Sequence, residues 1–130
     1  MAAAHATLEF LEEHDGKVYR EIYRHGEKLM QGIQAIIDRE QIRAIIQGFG
    51  PMFQIHFTPL GRIRNYRDYC RSDHDTYMVF RNKLLPRGIF LRPAHFGEVY
   101  ISAAHSDEDI AKTVEAVDDV VKEMKTENLL

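Results

Sequence analysis

The stretch that decides the fold is residues 87–109, which read RGIFLRPAHFGEVYISAAHSDED. Its two short apolar runs, 89–91 and 99–101, flank a turn and predict the second of two strand pairs. Ser106 follows, with Asp109 three residues later, an acidic variant of the capping box that starts a helix. Apolar residues then recur at intervals of three and four, as on one side of an amphipathic helix: Ile110, Val114, Val117, Val121 and Met124. The stretch therefore predicts strands that pass directly into the last helix.

Length and composition are those of one globular domain, residues 1–130. Hydrophobic residues make up 45% of the chain and charged residues 28%, so the chain can form a core and is not disordered. No apolar run approaches the roughly 20 residues that span a bilayer, which predicts no membrane partner. The single cysteine, Cys70, cannot form an internal disulfide, and this predicts a reducing, cytoplasmic location. A net charge of −3 gives no general attraction to nucleic acid.

The chain before residue 87 combines helices with a first strand pair. Turn signals at 15–16, 48–51 and 86–88 separate the segments. The predicted elements are helices at Ala2–Glu13 and Lys17–Glu40, strands at 42–46 and Met52–Phe57, a short helix capped by Asn65, and a helix over 73–85. Two strand pairs separated by helices predict an α+β fold, a small, mostly antiparallel sheet of about four strands covered by helices.

One segment, 62–71, interleaves arginines with aromatic residues. Its members are Arg62, Arg64, Arg67 and Arg71, with Tyr66 and Tyr69. Arginines beside aromatic rings can bind single-stranded nucleic acid. Asp68 interrupts the run, and the chain as a whole is acidic. A solvated helix face is the favoured interpretation, and we predict no nucleic-acid partner.

The histidines and the cysteine do not form a recognisable metal or nucleophile motif. The seven histidines lie at 5, 14, 25, 56, 74, 95 and 105, and none are paired at the spacing of helix-borne metal ligands. Cys70 has no thiolate partner and no sequence context of a nucleophile. The sequence thus predicts no metal site and no self-sufficient catalytic group.

Arg92 is the one candidate binding residue that residue type and position suggest. It precedes Pro93 at the end of the predicted strand 89–91, where a guanidinium could project into a cleft and grip a carboxylate with two hydrogen bonds. The alternative is a surface arginine paired with Glu98 or with the last helix. Both interpretations stay open on the residues alone.

The same stretch resembles a known family. Residues 87–91, then 93–96, then 101–110 are similar to the C-terminal domain of class-III pyridoxal-phosphate aminotransferases, and most similar to the glutamate-1-semialdehyde aminomutase branch, with its pattern RGVYLxPSQFEAxFxSxAHTxEDI. The turn at 50–53, the pair Ser72-Asp73 and the alanine-rich start at 2–9 agree with the same family. The resemblance covers essentially the whole chain.

The resemblance implies a domain that works with a second, larger one. In the family, that large domain carries the Schiff-base lysine, the phosphate loops and the acid that pairs with the pyridine nitrogen. Nothing here resembles those parts, so pyridoxal phosphate is expected in the intact parent enzyme and not in the isolated chain, which we expect to be inactive. Met1 would then fall in mid-helix, which explains why the first helix has no capping residue. The family also implies a homodimer for the intact enzyme.

Departures from the aminomutase pattern bear on substrate. Gly97 stands where the pattern has Glu, Glu98 is displaced by one position, and His95 replaces Gln. Arg92 is unusual for the aminomutase branch, whereas some carboxylate-binding class-III aminotransferases have an Arg-Pro pair there. Arg92, and secondarily His95 and Glu98, are the predicted substrate-binding residues on an amino-acid transaminase.

Two other hypotheses remain beside the enzyme domain. The first is a free-standing α+β interaction module that has no enzymatic parent. The second is self-association of the isolated chain, because a helix that packs on a large domain would otherwise expose an apolar patch.

Overall fold

The computed structural model describes residues 1–93 and 98–130. The elements in chain order are α1 (Ala2–Glu13), α2 (Lys17–Glu40), β1 (Ala44–Phe49), β2 (Met52–Phe57), α3 (Tyr66–Tyr69), α4 (His74–Leu84), a single 3₁₀ turn (Leu85–Arg87), β3 (Glu98–Tyr100) and α5 (Asp107–Thr126). The α+β prediction is confirmed, and the bounds predicted for the first two helices agree with the structure.

The sheet has three antiparallel strands in the order β1-β2-β3 among the described residues. Gly48 pairs with Phe53 in the β1–β2 hairpin, and Phe53 pairs with Val99 of β3. The tight turn between β1 and β2 places Gly50 at φ +50°, a backbone conformation that favours glycine.

Two strand predictions need correction. Residues 89–91 are not a strand, so the sheet formed by residues 1–93 and 98–130 has three strands instead of about four. The carbonyl of Leu91 accepts a hydrogen bond from Arg81 Nε at 2.9 Å, and the carbonyl of Arg92 accepts one from the Tyr77 hydroxyl at 3.1 Å. Side chains of α4 therefore take the place of a strand neighbour. β1 also begins two residues late, because the amide of Ile42 closes the end of α2.

The core lies between one face of the sheet and three helices. Phe53, Ile55 and Phe57 alternate along β2 and are buried, as the two-residue period of a strand requires. Against them pack α2, α4 and α5 through buried residues that include Leu29, Ile33, Ile36, Phe80, Leu84, Ile110, Val120, Val121 and Met124. The other face of the sheet remains available for a site.

A close approach fixes α2 on the hairpin. A Cβ atom added to Gly26 would lie 2.2 Å from the carbonyl oxygen of Gly50, so the helix backbone touches the turn directly. The Tyr23 ring packs edge-on against Phe49, with ring centroids 5.4 Å apart. The N-terminal half of α2 is thereby placed at the hairpin end of the sheet.

Candidate functional site

The strongest candidate lies where the segment before Pro93 meets the outer face of the sheet. We define the outer face as the side chains of Gln47, Phe49, Met52, Gln54, His56, Glu98 and Tyr100, which alternate with the buried residues of the three strands. Phe49, Met52 and Tyr100 are at least half exposed at its hairpin end. The middle of the face is polar.

Two side chains of α4 hold the backbone beside Arg92. Arg81 and Tyr77 lie one helical turn apart and donate to the carbonyls of residues 91 and 92. The Tyr77 ring is buried, and burial raises the pKa of its hydroxyl, which keeps it a hydrogen-bond donor at neutral pH. The guanidinium of Arg81 also lies 5.3 Å from the centre of the Phe90 ring. The backbone that carries Arg92 is therefore pinned to a core helix.

Arg92, Glu98 and Gln54 form a polar row across the outer face. Arg92 donates from Nη1 to Glu98 Oε2 at 3.0 Å, and Gln54 donates from Nε2 to Glu98 Oε1 at 3.3 Å. Glu98 is three-quarters buried, whereas 53% of the Arg92 side chain is exposed. The carboxylate orients one edge of the guanidinium. In the described part of the chain its Nε and Nη2 groups bond to nothing, so they can meet an incoming anion.

These contacts bear on both predictions for Arg92. The ion pair with Glu98, which the sequence left as an alternative, is present. The exposed side chain beside it is also compatible with carboxylate binding, so that role stays a prediction. His95 and Gly97 lie outside the described residues. The sequence did not predict a role for Gln54, or for Tyr77 and Arg81 as supports of the backbone. The four-residue spacing of Tyr77 and Arg81 on a predicted helix just before residues 87–109 was the signal that could have indicated their role.

The far end of the outer face is closed. His56 is buried, and its ring packs edge-on against Tyr69 with centroids 5.8 Å apart. Burial lowers the pKa of His56, and the neighbouring His74 lowers it further. Burial, with a smaller effect from the Glu98 carboxylate, raises the pKa of Tyr69 to about 12. Both side chains are therefore neutral at pH 7, and their packed rings cover this end of the outer face.

A cavity of about 550 Å³ adjoins Arg92 on the side of α5. Its apolar lining includes Leu29, Leu91, Val99 and Ile110. Ion pairs occupy its charged rim: Arg87 Nη2 with Glu123 at 2.8 Å and Lys112 with Glu108 at 2.7 Å. His105 also lines it, and its Nδ1 accepts from the Ser102 amide at 3.1 Å. The cavity can take an apolar group beside the exposed arginine.

The lysines of this chain do not suit Schiff-base chemistry. A lysine that attacks a carbonyl needs a neutral amine, which burial or nearby cations favour by lowering its pKa. Five of the six lysines lie in ion pairs: Lys28, Lys83, Lys112, Lys122 and Lys125. Carboxylates raise the pKa of Lys83 and Lys112. These five lysines are thus held as charged partners of carboxylates, an arrangement that does not suit covalent attachment of pyridoxal phosphate.

The described residues contain no group of three metal-ligating side chains. Cys70 is exposed on the surface. Within the part of the chain that the structure covers, no helix is long and apolar enough to cross a bilayer.

Comparison with solved structures shows which fold the chain has. A β-phenylalanine aminotransferase from Variovorax paradoxus matches with a TM-score of 0.73 and 24% identity, over 82% of this chain and 24% of that one. A glutamate-1-semialdehyde aminomutase from Pseudomonas aeruginosa PAO1 matches with a TM-score of 0.74 and 18% identity, over 87% of this chain and 24% of that one. The fold is that of the C-terminal domain of pyridoxal-phosphate aminotransferases.

The sequence relatives show to which family the chain is related. The glutamate-1-semialdehyde 2,1-aminomutase of Thermoplasma acidophilum is 37% identical over 118 residues, 91% of this chain and 27% of the relative. That of one Thermus thermophilus strain is 36% identical over 117 residues, 90% of this chain and 27% of the relative. No family model matches. The chain spans about a quarter of the length of the curated relatives it matches.

The chain therefore belongs to the class-III pyridoxal-phosphate aminotransferase family, on its glutamate-1-semialdehyde aminomutase branch, and corresponds to the C-terminal domain. The relationship confirms the resemblance noted in the sequence and favours it over an unrelated interaction module. The remaining three-quarters of each relative form a large partner region for such a domain.

Proposed function

We propose that this domain forms the substrate-side wall of an aminotransferase or aminomutase active site, with Arg92 as the carboxylate clamp. The carrying observation is the arrangement around Arg92. Glu98 orients one edge of its guanidinium, and α4 pins its backbone. A planar guanidinium held in this way matches a carboxylate geometrically and loses little freedom on binding. The exposed aromatic and apolar residues of the outer face would meet the large domain.

The chemistry of amino transfer belongs to that large domain. Pyridoxal phosphate is the electron sink of such enzymes, and one structural relative is a transaminase with pyridoxal phosphate bound. We propose that the lysines of this chain take no part and that the domain binds, orients and shields a carboxylate-bearing substrate. We also propose that the intact enzyme is a homodimer in the cytoplasm, in agreement with a single unpaired cysteine.

The presence of Arg92 favours amino-acid transamination over the aminomutase reaction. Amino acids and glutamate-1-semialdehyde both carry a carboxylate that a guanidinium can bind, so this preference rests on Arg92 being unusual for the aminomutase branch. The sequence relatives are named as aminomutases, so both reactions require assay. Rearrangement of glutamate-1-semialdehyde at a rate that equals or exceeds amino-acid transamination would reverse this preference.

The clamp is tested in the enzyme that joins this domain to its large domain. Arg92→Ala should raise KM for carboxylate substrates about tenfold or more, because charge-assisted hydrogen bonds contribute about 1.5–3 kcal/mol. Arg92→Lys keeps the charge but loses the planar fork, and should recover only part of the affinity. Arg20→Ala, an exposed arginine on α2, is the matched control. An unchanged KM in the first variant would return Arg92 to a surface role.

Two simpler measurements test the division of labour. The reading frame upstream of the Met1 codon should continue through a region that encodes the cofactor lysine of a large domain. A stop codon with its own ribosome site there would count against a large domain on the same chain. The 130-residue chain mixed with pyridoxal phosphate should form no saturable one-to-one complex, and such a complex would contradict the proposal.

A further inference from the structure

Another cavity lies at the end of the sheet opposite the hairpin turn, beside the last residues of β2. Its volume is about 550 Å³, within the range of sites that hold small molecules. It is bounded by the C-terminal end of α2, the segment that follows β2 and the start of α4. None of its described lining residues belongs to the outer face or lines the cavity beside Arg92. The two cavities are therefore separate.

Two arginines, Arg43 and Arg71, line this cavity. Both are exposed, and among the described residues neither guanidinium forms a hydrogen bond, an ion pair or a ring contact. By contrast, carboxylates hold the guanidinium groups of Arg24, Arg39 and Arg87. A guanidinium that the protein does not hold can bind a carboxylate through two parallel hydrogen bonds. The cavity thus presents two groups that can each bind an anion.

Backbone hydrogen bonds bring the two arginines to the same end of β2. The amide of Thr58 donates to the carbonyl of Arg43 at 2.7 Å. The amide of Asp73, two residues after Arg71, donates to the carbonyl of Phe57 at 2.7 Å. The segments that carry the two arginines are far apart along the chain, and both are fixed to neighbouring residues at the end of one strand. The folded backbone therefore determines that the two side chains share a cavity.

The other polar groups of the cavity leave the charge of the two arginines available. Lys125 and Glu40 form an ion pair at 2.9 Å and so neutralise each other. The Asp73 carboxylate accepts from the Thr76 amide at 2.9 Å and from its hydroxyl at 2.8 Å, and its charge faces the positive N-terminal end of α4. Thr58 is 3% exposed, and its hydroxyl accepts one backbone amide at 3.3 Å and can still donate its proton to a ligand. An incoming anion would therefore meet hydrogen-bond donors with unneutralised positive charge.

We propose that this cavity is a binding site for a small organic dicarboxylate. Each guanidinium would hold one carboxylate, because two planar forks match two planar anions. The apolar side chains of Ile42, Phe57 and Pro59 also line the cavity and would contact the carbon chain between the two carboxylates. The site goes beyond the proposed function and uses neither Arg92 nor the outer face, so its failure would leave the proposed carboxylate clamp untouched.

The first experiment follows the backbone amide signals of the 130-residue chain by nuclear magnetic resonance during titration with glutarate. Constant ionic strength keeps the screening of charges equal throughout. We expect saturable shifts at Arg43, Thr58 and Arg71. Pentanoate has the same number of carbons and one carboxylate, so it should bind about tenfold more weakly because it satisfies only one guanidinium. Equal affinities for the two anions, or saturable shifts confined to other residues, would overturn the proposal.

The second experiment removes each guanidinium separately. Arg43→Ala and Arg71→Ala should each lower the affinity for glutarate about tenfold, to that of pentanoate for the original chain. Arg43→Lys keeps the charge but loses the planar fork, and should recover only part of the affinity. Arg67→Ala changes an exposed arginine of α3 that is not among the described lining residues, and this matched control should bind glutarate normally. The amide spectrum of each variant shows whether it is folded. An equal loss in the control, or no loss in either cavity variant, would contradict the assignment.

A third experiment identifies the class of anion. Succinate, glutarate and adipate differ in the number of carbons between their carboxylates. One of the three should bind most tightly, because a ligand whose length matches the spacing of the two guanidinium groups loses the least freedom on binding. Equal affinities across the series would indicate attraction to charge alone and would rule out the proposed site. Inorganic phosphate should bind more weakly than the best dicarboxylate. Tighter binding of phosphate that is lost in Arg43→Ala and Arg71→Ala would assign the cavity to phosphate groups instead.

Discussion

The first and last helices of the chain share the spacing of their apolar residues but differ in how they pack. Both α1 and α5 are amphipathic, with apolar residues at helical spacing. α5 begins with a complete capping box between Ser106 and Asp109 and buries five residues in the core. α1 begins without a capping side chain and buries none. Amphipathicity is thus shared, and packing partners make the difference.

Charged contacts repeat this contrast. α5 is joined to α2 at both ends: Asp107 bonds with Arg24 and Lys28 at 2.9 Å, and Lys125 with Glu40 at 2.9 Å. In the part of the chain that the structure describes, the acidic residues of α1 have no such partner on another element; the ion pair of His5 with Glu9 at 3.2 Å is internal. An amphipathic pattern therefore predicts a helix with an apolar side, and does not say which molecule covers that side.

The largest difference between the two helices should be the loss in free energy of unfolding when an apolar side chain is truncated. Ile110→Ala in α5 removes a side chain that is 1% exposed and should lower the free energy of unfolding by about 2–5 kcal/mol. Leu8→Ala in α1 should change it by less than about 0.5 kcal/mol at concentrations where the chain is monomeric. Urea unfolding of the two variants measures both values. Similar losses at both sites would show that α1 is packed in the monomer.

Removal of the helix cap should have the next largest effect. Ser106→Ala deletes the hydroxyl that accepts from the Asp109 amide at 3.2 Å, and should lower stability by about 1 kcal/mol. Thr7→Ala is the matched change in α1, where the hydroxyl donates to the Ala3 carbonyl. It should be almost neutral, since α1 contributes little to cooperative unfolding. Thermal melts of both variants test the difference, and equal shifts in Tm would contradict it.

The smallest expected effect is the loss of stability in acid at the contact between Asp107 of α5 and the Arg24 and Lys28 side chains of α2. Hydrogen bonds from Arg24 and then Lys28 hold the pKa of Asp107 well below its usual value of 3.8. Because this pKa is lower in the folded chain than in the unfolded chain, the unfolded chain binds the proton more readily. The stabilising effect of the Asp107 carboxylate is therefore present above about pH 4 and is lost as pH falls further. Asp107→Asn should reduce stability at pH 7 and flatten the acid limb of the pH profile.

Glu12→Gln, in α1, is the control for that titration and should leave the profile of the monomer unchanged. His25 Nε2 also lies 3.8 Å from the Asp107 carboxylate. An acid limb in Asp107→Asn identical with that of the original chain would place the sensitivity on other carboxylates.

The sequence predicted the helices well because their signals are local. The bounds of α1 and α2, the Asn65 and Ser106 caps and the inward side of α5 follow from turn residues and periodicity. Residues 89–91 were wrongly predicted as a strand. Their apolar character is real, but the hydrogen bonds of that backbone depend on Tyr77 and Arg81, which local pattern does not reveal.

The sequence by itself determined the α+β class, the helix boundaries and the family, since these depend on short-range periodicity, capping chemistry and residues 87–109. Only the tertiary structure decided that the described sheet has three strands, that Gly26 is where helix and hairpin touch, and that Glu98 holds one edge of Arg92. Such contacts join residues far apart along the chain or from different elements. Their geometry is set by how the elements pack, so no pattern within a single element can specify it.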